Sequence, residues 1–181
     1  MKLLPGCLAF GLFFLGDWND WKWGKAPLRM CFPAGFLLLA EETARLAWNG
    51  APVLPSGARG AFYVLAAIFL ALLIHALFFA LPAGDSYARQ AAKRRACTTG
   101  VYALCRHPGV LWFAGLYLCL WAAAGLPLAA AAAFCALDVL LVIFEDLVVF
   151  PARLEGYDDY RRTTPFLLPN RGSLRACLKR Y

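Results

Sequence analysis

Apolar residues in this chain come in long blocks, not with the period of a half-exposed helix or strand. Five blocks stand out, at residues 3–15, 27–48, 61–82, 109–124 and 126–150. A helix needs about 20 mostly apolar residues to cross a bilayer. Four of the blocks reach or approach that length, and the first falls short of it. With a single lysine before it and no small-residue cleavage site after it, the first block reads as a retained helix rather than a signal peptide. Gly125-Leu126-Pro127 separates the last two blocks and allows only a tight hairpin between them. No block alternates with the period of a barrel strand, and no repeat of 20 to 50 residues is present.

Composition sharpens this pattern. Of the 181 residues, 62% are hydrophobic and 16% charged, with a mean hydropathy of +0.61. Soluble domains are typically about 45–50% apolar and about 25% charged. The balance argues against an ordinary soluble enzyme, a disordered tail and a nucleic-acid module with a solvated surface. The expected fold is therefore all-α: a polytopic membrane helix bundle of about five transmembrane helices, residues 1–181 forming one membrane domain that ends in a helical hairpin and a tail. Residues 83–108 and 151–181 each carry a net charge of +4 and flank that hairpin on the same side. The positive-inside rule makes that side the cytoplasm. Residues 17–26 then fall inside with Lys22 and Lys25, and residues 49–60, with only Arg59, fall outside. The expected localisation is integral membrane and multi-pass, with lipid headgroup contact rather than nucleic acid explaining the basicity.

Ionisable groups inside a span cost roughly 2.5–3.5 kcal/mol at the helix centre, so each needs a reason. Asp138 and Glu145 are seven apart and share a face of the last helix, with Asp146 beside them. This acidic stripe is expected to face the bundle interior and open toward the cytoplasm. Pairing with an arginine of the basic loop is the structural alternative. Glu41 and Arg45 are spaced for an ion pair on the second helix. His75 reads as a core histidine bonded to a neighbour, and Trp18, Trp21 and Trp23 as an interfacial aromatic belt. Seven cysteines without a CxxC pair indicate free thiols, neither a metal site nor a disulfide framework.

The densest chemistry lies in Gly100-Val101-Tyr102-Ala103-Leu104-Cys105-Arg106-His107-Pro108-Gly109, just before the fourth apolar block. Pro108 suits the first turn of a helix, where no N–H is needed. Free amides of that helix start, with Arg106 and His107 beside them, make an anion site. After the last block come Tyr157 and Tyr160, then Thr164-Pro165-Phe166-Leu167-Leu168-Pro169, too polar to span and suited to folding under the hairpin.

The string G-V-Y-x-x-x-R-H-P, a helical hairpin, an acidic pair, Y-x-x-Y and a T-P-F-x-x-P ending resembles the isoprenylcysteine carboxyl methyltransferases. It is equally similar to their wider superfamily of membrane methyltransferases, phospholipid N-methyltransferases included. The resemblance covers residues 94–169, within a methyltransferase-like core at residues 83–169; residues 1–82 supply N-terminal transmembrane helices. It implies S-adenosylmethionine as cofactor, with a site facing the cytoplasm. Tyr102, His107, Pro108, Gly109, Val110 and Glu145 match cofactor-contacting positions. Arg106 and Glu145 match those nearest the chemistry. It also implies a lipid-like or prenylated acceptor, either a carboxylate or an amine, reached through membrane lipid. Two positions depart from the family: Val110 stands where a tyrosine is usual, and Leu141 where an arginine holds the substrate carboxylate. The alternatives are a membrane nicotinamide-dependent reductase of the sterol-reductase type and a non-catalytic member of the methyltransferase family. The former usually carries asparagine where Pro108 stands.

Overall fold

The computed structural model describes residues 3–79 and 94–179. Lys2, the close of the third apolar block to Pro82, the basic stretch holding Asp85, Arg89 and Lys93, and Arg180 lie outside the described residues. Over the rest the chain is helical. Helix α1 (Leu4–Trp18) runs on through a π turn, Asn19–Trp23, to a left-handed cap at Gly24. The first apolar block is thus lengthened to Trp23. A 3-10 turn, Ala26–Met30, leads into α2 (Cys31–Trp48). Helix α3 (Ser56–Ile74) continues as the π turn His75–Phe79. The hairpin is α4 (Pro108–Ala124) and α5 (Leu128–Phe144), the latter extended by a π turn, Glu145–Val149, and the short α6 (Phe150–Arg153). Helices α7 (Tyr157–Thr163) and α8 (Arg171–Lys179) form the tail. The extended elements are two-residue strands, β1 (Arg94–Arg95) and β2 (Leu154–Glu155), paired in parallel with Arg94 opposite Leu154.

Helix α1 packs on α2 and α5, and α3 packs on α4. Phenylalanine fills the seam: Phe10 and Phe134 are 2% and 0% exposed and meet Phe13, Phe113 and Tyr117 edge-on or tilted. Edge-to-face aromatic pairs contribute beyond their burial, about 0.5–1.5 kcal/mol each. Tyr117 is a polar member of this core, and its hydroxyl meets Thr43 Oγ1 at 2.5 Å. Gly125 ends α4 in the left-handed region at φ 80°, and the following Pro127 caps α5, which closes the hairpin in three residues. The Val53 and Leu54 amides bond to the Ala122 carbonyl at 3.2 and 3.0 Å, holding the α2–α3 loop to that turn.

Among the described residues one helix, Ser56–Phe78, is long and apolar enough by length and composition to cross a membrane, with a mean hydropathy of 2.5. Pro108–Ala124 is a shorter apolar helix.

Two expectations on buried polar residues change. Arg45 reaches Glu42, at 2.7 and 2.9 Å, where the sequence spacing suggested Glu41. Glu42 faces inward and is fully buried, so it needs the cation, whereas Glu41 points outward. His75 is exposed, not a core residue; the next residue, Ala76, is the buried one.

The Gly125 turn yields a stability prediction. A Cβ there would come within 2.5 Å of the Ala51 backbone, and a left-handed φ costs a non-glycine residue about 1–2 kcal/mol. Gly125→Ala should lower unfolding free energy by at least about 2 kcal/mol in detergent. An unchanged thermal midpoint would contradict the turn geometry.

Candidate functional site

The site forms where the loop before α4, the π turn ending α5 and the tail converge. Pro108 is the first residue of α4, and His107 caps it from outside the helix. The Arg106 and His107 amides donate to the Pro165 and Phe166 carbonyls at 2.9 and 3.3 Å. The tail is therefore strapped along the loop, and these two amides are not free for an anion.

Asp146 is the centre of this junction. Its carboxylate receives Arg106 Nε at 2.7 Å and Nη2 at 3.1 Å, and the Tyr157 hydroxyl at 2.6 Å. His107 Nε2 lies 3.3 Å away and Arg161 Nε 3.6 Å. The Arg106 Nη1 group donates to the Arg161 and Thr164 carbonyls at 3.0 and 2.7 Å. Arg106 thus makes four hydrogen bonds among the described residues, out of the five N–H donors of a guanidinium. The anion-holding role expected for Arg106 meets a group that already braces the loop to the hairpin and tail. Tyr160 donates to the Tyr102 carbonyl at 2.7 Å, and Tyr102 in turn to the Ala76 carbonyl at 2.9 Å, which ties the loop to the end of α3.

The two acids of the π turn face different ways. Within it Glu145 and Asp146 are consecutive, yet Asp146 turns to the tail while Glu145 turns to a cavity. Glu145 also shares a hydrogen bond with Asp17 at the end of α1. His107 Nδ1 stands 3.8 Å from Glu145 Oε2, and its ring lies parallel to Phe150 and edge-on to Phe166.

The cavity has a volume of about 180 Å³. Tyr102, Arg106, His107, Pro108, Gly109 and Val110 line it from the α4 side, and Glu145 lines it from the end of α5. All seven positions singled out in the sequence therefore meet at one cavity. Asp138 and Leu141 share its wall, as do Phe10 and Phe13 of α1 and Phe32 and Phe36 at the start of α2. Asp138 Oδ2 is a buried oxygen with no hydrogen-bond partner among the described residues. Asp146 does not continue the acidic stripe; the arginine pairing weighed as its alternative is what the structure contains. Asp17 and the Asp146–Tyr157 bond were missed in the sequence. An acid placed just past the first apolar block, level with Glu145, was the one available signal for Asp17.

Electrostatics follow from burial. Burial pushes the His107 imidazole below its ordinary value of 6.5, Asp146 pulling the other way, so the ring is neutral at pH 7. Burial, reinforced by the bond to Asp146, raises the Tyr157 phenol, and burial raises the Cys105 thiol to about 11. Both stay protonated. Among the described residues no cluster of His, Cys, Asp and Glu is placed to hold a metal ion.

Comparison with protein-family models, with curated proteins and with solved structures finds no match to this chain.

S-adenosylmethionine combines a sulfonium and an ammonium with a carboxylate and ribose hydroxyls. The residues fit its cationic groups: Glu145 faces the cavity between aromatic walls. For the carboxylate there remain the Gly109 amide in the first turn of α4 and the last N–H of Arg106. A volume near 180 Å³ is below the roughly 300–1,000 Å³ usual for whole ligands, and suits the reacting end of one.

The depressed His107 value fixes a pH dependence. The unfolded chain takes up a proton near pH 6.5 that the folded imidazole resists, so stability falls as pH drops below 6.5. His107→Gln should flatten that part of the stability–pH curve. Equal slopes in both proteins below pH 6.5 would refute a neutral, buried His107.

Proposed function

We propose that this chain is an integral membrane methyltransferase that uses S-adenosylmethionine to methylate a lipid-like acceptor at the cytoplasmic face. The observation that carries the reading is the single cavity, in which a loop of the Arg-His-Pro type and the acid closing the helical hairpin face one another. Its wall is apolar on the α1–α2 side and polar on the α4–α5 side. A hydrocarbon chain suits the first and a charged cofactor the second.

When bound, the cofactor supplies a methyl group on a sulfonium, open to direct displacement, so the protein needs no nucleophile of its own. Its residues have to align donor and acceptor and keep water out. Glu145 holds the cationic end. Phe150 and Phe166 clamp the His107 ring, and Tyr102 is fixed through its hydroxyl. The tail strap holds the loop through the Arg106 and His107 amides.

The multi-pass arrangement belongs to the same proposal: five helices, amino terminus outside, site and tail in the cytoplasm. It is supported by the outward-facing apolar side chains on several helices, among them Leu37 at 69%, Val64 at 61%, Leu118 at 54% and Leu140 at 55% exposure. Such surface is costly in water and ordinary against lipid tails. In intact cells Cys97 and Cys177 should resist an impermeant thiol reagent and react once the membrane is opened. Labelling of either in sealed cells would reverse the orientation.

The acceptor follows from charge. A carboxylate buried near the bilayer needs a cation. Arg106 is already neutralised by Asp146, and Leu141 brings no positive charge to the α5 wall. An amine instead meets Asp138, whose free oxygen can hold an ammonium and take the proton it must lose before its nitrogen attacks. We therefore favour an amine over an isoprenylcysteine carboxylate. In proteoliposomes, Asp138→Asn should depress methylation of an amino lipid with cofactor affinity kept. Base-labile ester formed on an isoprenylcysteine, and retained in Asp138→Asn, would overturn that choice.

Cofactor binding itself is tested with labelled S-adenosylmethionine on detergent-purified protein. His107→Ala and Glu145→Gln should each weaken binding at least about tenfold, the loss of a charge-assisted hydrogen bond. Unchanged affinity in both, or no binding by the intact chain, would remove the proposal.

A further inference from the structure

Helix α8 has three faces that do not belong to a freely dangling tail. It starts at a reciprocal cap: the Ser173 amide donates to Asn170 Oδ1 at 2.9 Å, and the Asn170 amide donates to Ser173 Oγ at 3.0 Å. This is the capping-box arrangement, which fixes where a helix begins. One face is docked. Ser173 is 6% exposed, and Cys177 Sγ reaches the Gly100 carbonyl at 3.3 Å. The helix is thereby seated on the 3-10 turn Gly100–Ala103 that carries Tyr102. Leu174 and Leu178, four residues apart on the adjoining face, are 47% and 80% exposed. Arg171 and Arg175, also four apart, form an exposed row directly beside the leucines. At 100° per residue the order around the helix is Ser173–Cys177, then Leu174–Leu178, then Arg171–Arg175.

We propose that α8 is a membrane-surface helix whose Leu174–Leu178 face enters the headgroup region of an anionic leaflet while Arg171 and Arg175 bind its lipid phosphates and carboxylates. Charge complementarity selects this occupant. Two leucines alone suit any apolar partner, but a parallel row of arginines suits a surface of negative charge at the depth where leucines meet acyl chains. Arginine stems lie along the apolar boundary and their guanidinium heads reach the phosphates. A second cluster sets basic side chains against aromatic rings at the end of α1. Lys22 and Lys25 sit over the Trp21 and Trp23 rings, and Arg153 reaches the Asp20 carbonyl to join that cluster to the end of the hairpin. Because α8 sits on the turn before Arg106, the leaflet's charge also steadies the loop that lines the cavity.

The proposal does not require methyl transfer, and its test reads no activity. The full chain is reconstituted into nanodiscs of phosphatidylcholine alone, or with about one third phosphatidylserine. Hydrogen exchange is followed in the 171–179 segment. In the anionic discs exchange should slow roughly thirty-fold, the effect of two basic side chains at an anionic surface, and raised salt should abolish the difference. Arg171→Glu with Arg175→Glu should remove the slowing, whereas Arg171→Lys with Arg175→Lys should keep most of it. Leu174→Ser with Leu178→Ser should speed exchange in anionic discs with the arginines intact. Equal exchange in the two lipids would overturn the proposal. So would protection that follows the number of chains per disc instead of lipid charge, which would give this face to a second copy.

Discussion

A buried carboxylate with donors from two separate segments, the loop before α4 and the tail, organises this protein. Asp146 is 3% exposed, and an unpaired charge at that depth costs several kcal/mol. It persists because Arg106 and His107 of the loop and Tyr157 and Arg161 of the tail all converge on it. The same convergence fixes the loop's backbone, since Arg106 and His107 must lie where their side chains reach the acid and their amides reach the tail. Without Asp146 the loop, the tail and the hairpin would have no common point. With it, a stretch of chain poor in regular structure is held as firmly as a helix.

That arrangement sets the chemistry of the cavity by subtraction. Arg106 lines the cavity, yet its positive charge is matched by Asp146 and most of its donors are taken. What remains facing inward is acidic and aromatic: Glu145, bonded to Asp17, then Asp138 with its free oxygen, and the phenylalanines of α1 and α2. Such a lining favours cationic and apolar groups over anions. Glu145 and Asp146 are consecutive in a π turn, yet Glu145 lines the cavity and Asp146 bonds to the tail. Single π turns within helices are frequent at functional sites.

Much of this was legible along the chain. The apolar blocks located α1 to α5, and Gly125-Leu126-Pro127 located the hairpin, because apolar run length and glycine–proline punctuation are local properties. A block edge moved where a π turn extended a helix, as at Trp23, since such turns follow from packing and leave no compositional mark. Of the seven positions on the cavity, six fall within one stretch from Tyr102 to Val110, so a motif reading could name them together.

Partners across the fold were a different matter. The choice of Glu42 over Glu41 for Arg45, the outward position of His75, and the meeting of Asp17 with Glu145 depend on how each helix is rotated about its axis. In helices apolar on every side, hydrophobic periodicity carries almost no information about that rotation. The sequence by itself determined the helices, their hairpin and the loop in which polar residues gather. Only tertiary packing decided that Asp146 would fasten the tail while Glu145 faced the cavity, because interlocking Phe10, Phe113 and Phe134 fixes the helix phases and thus the direction of every polar side chain they carry.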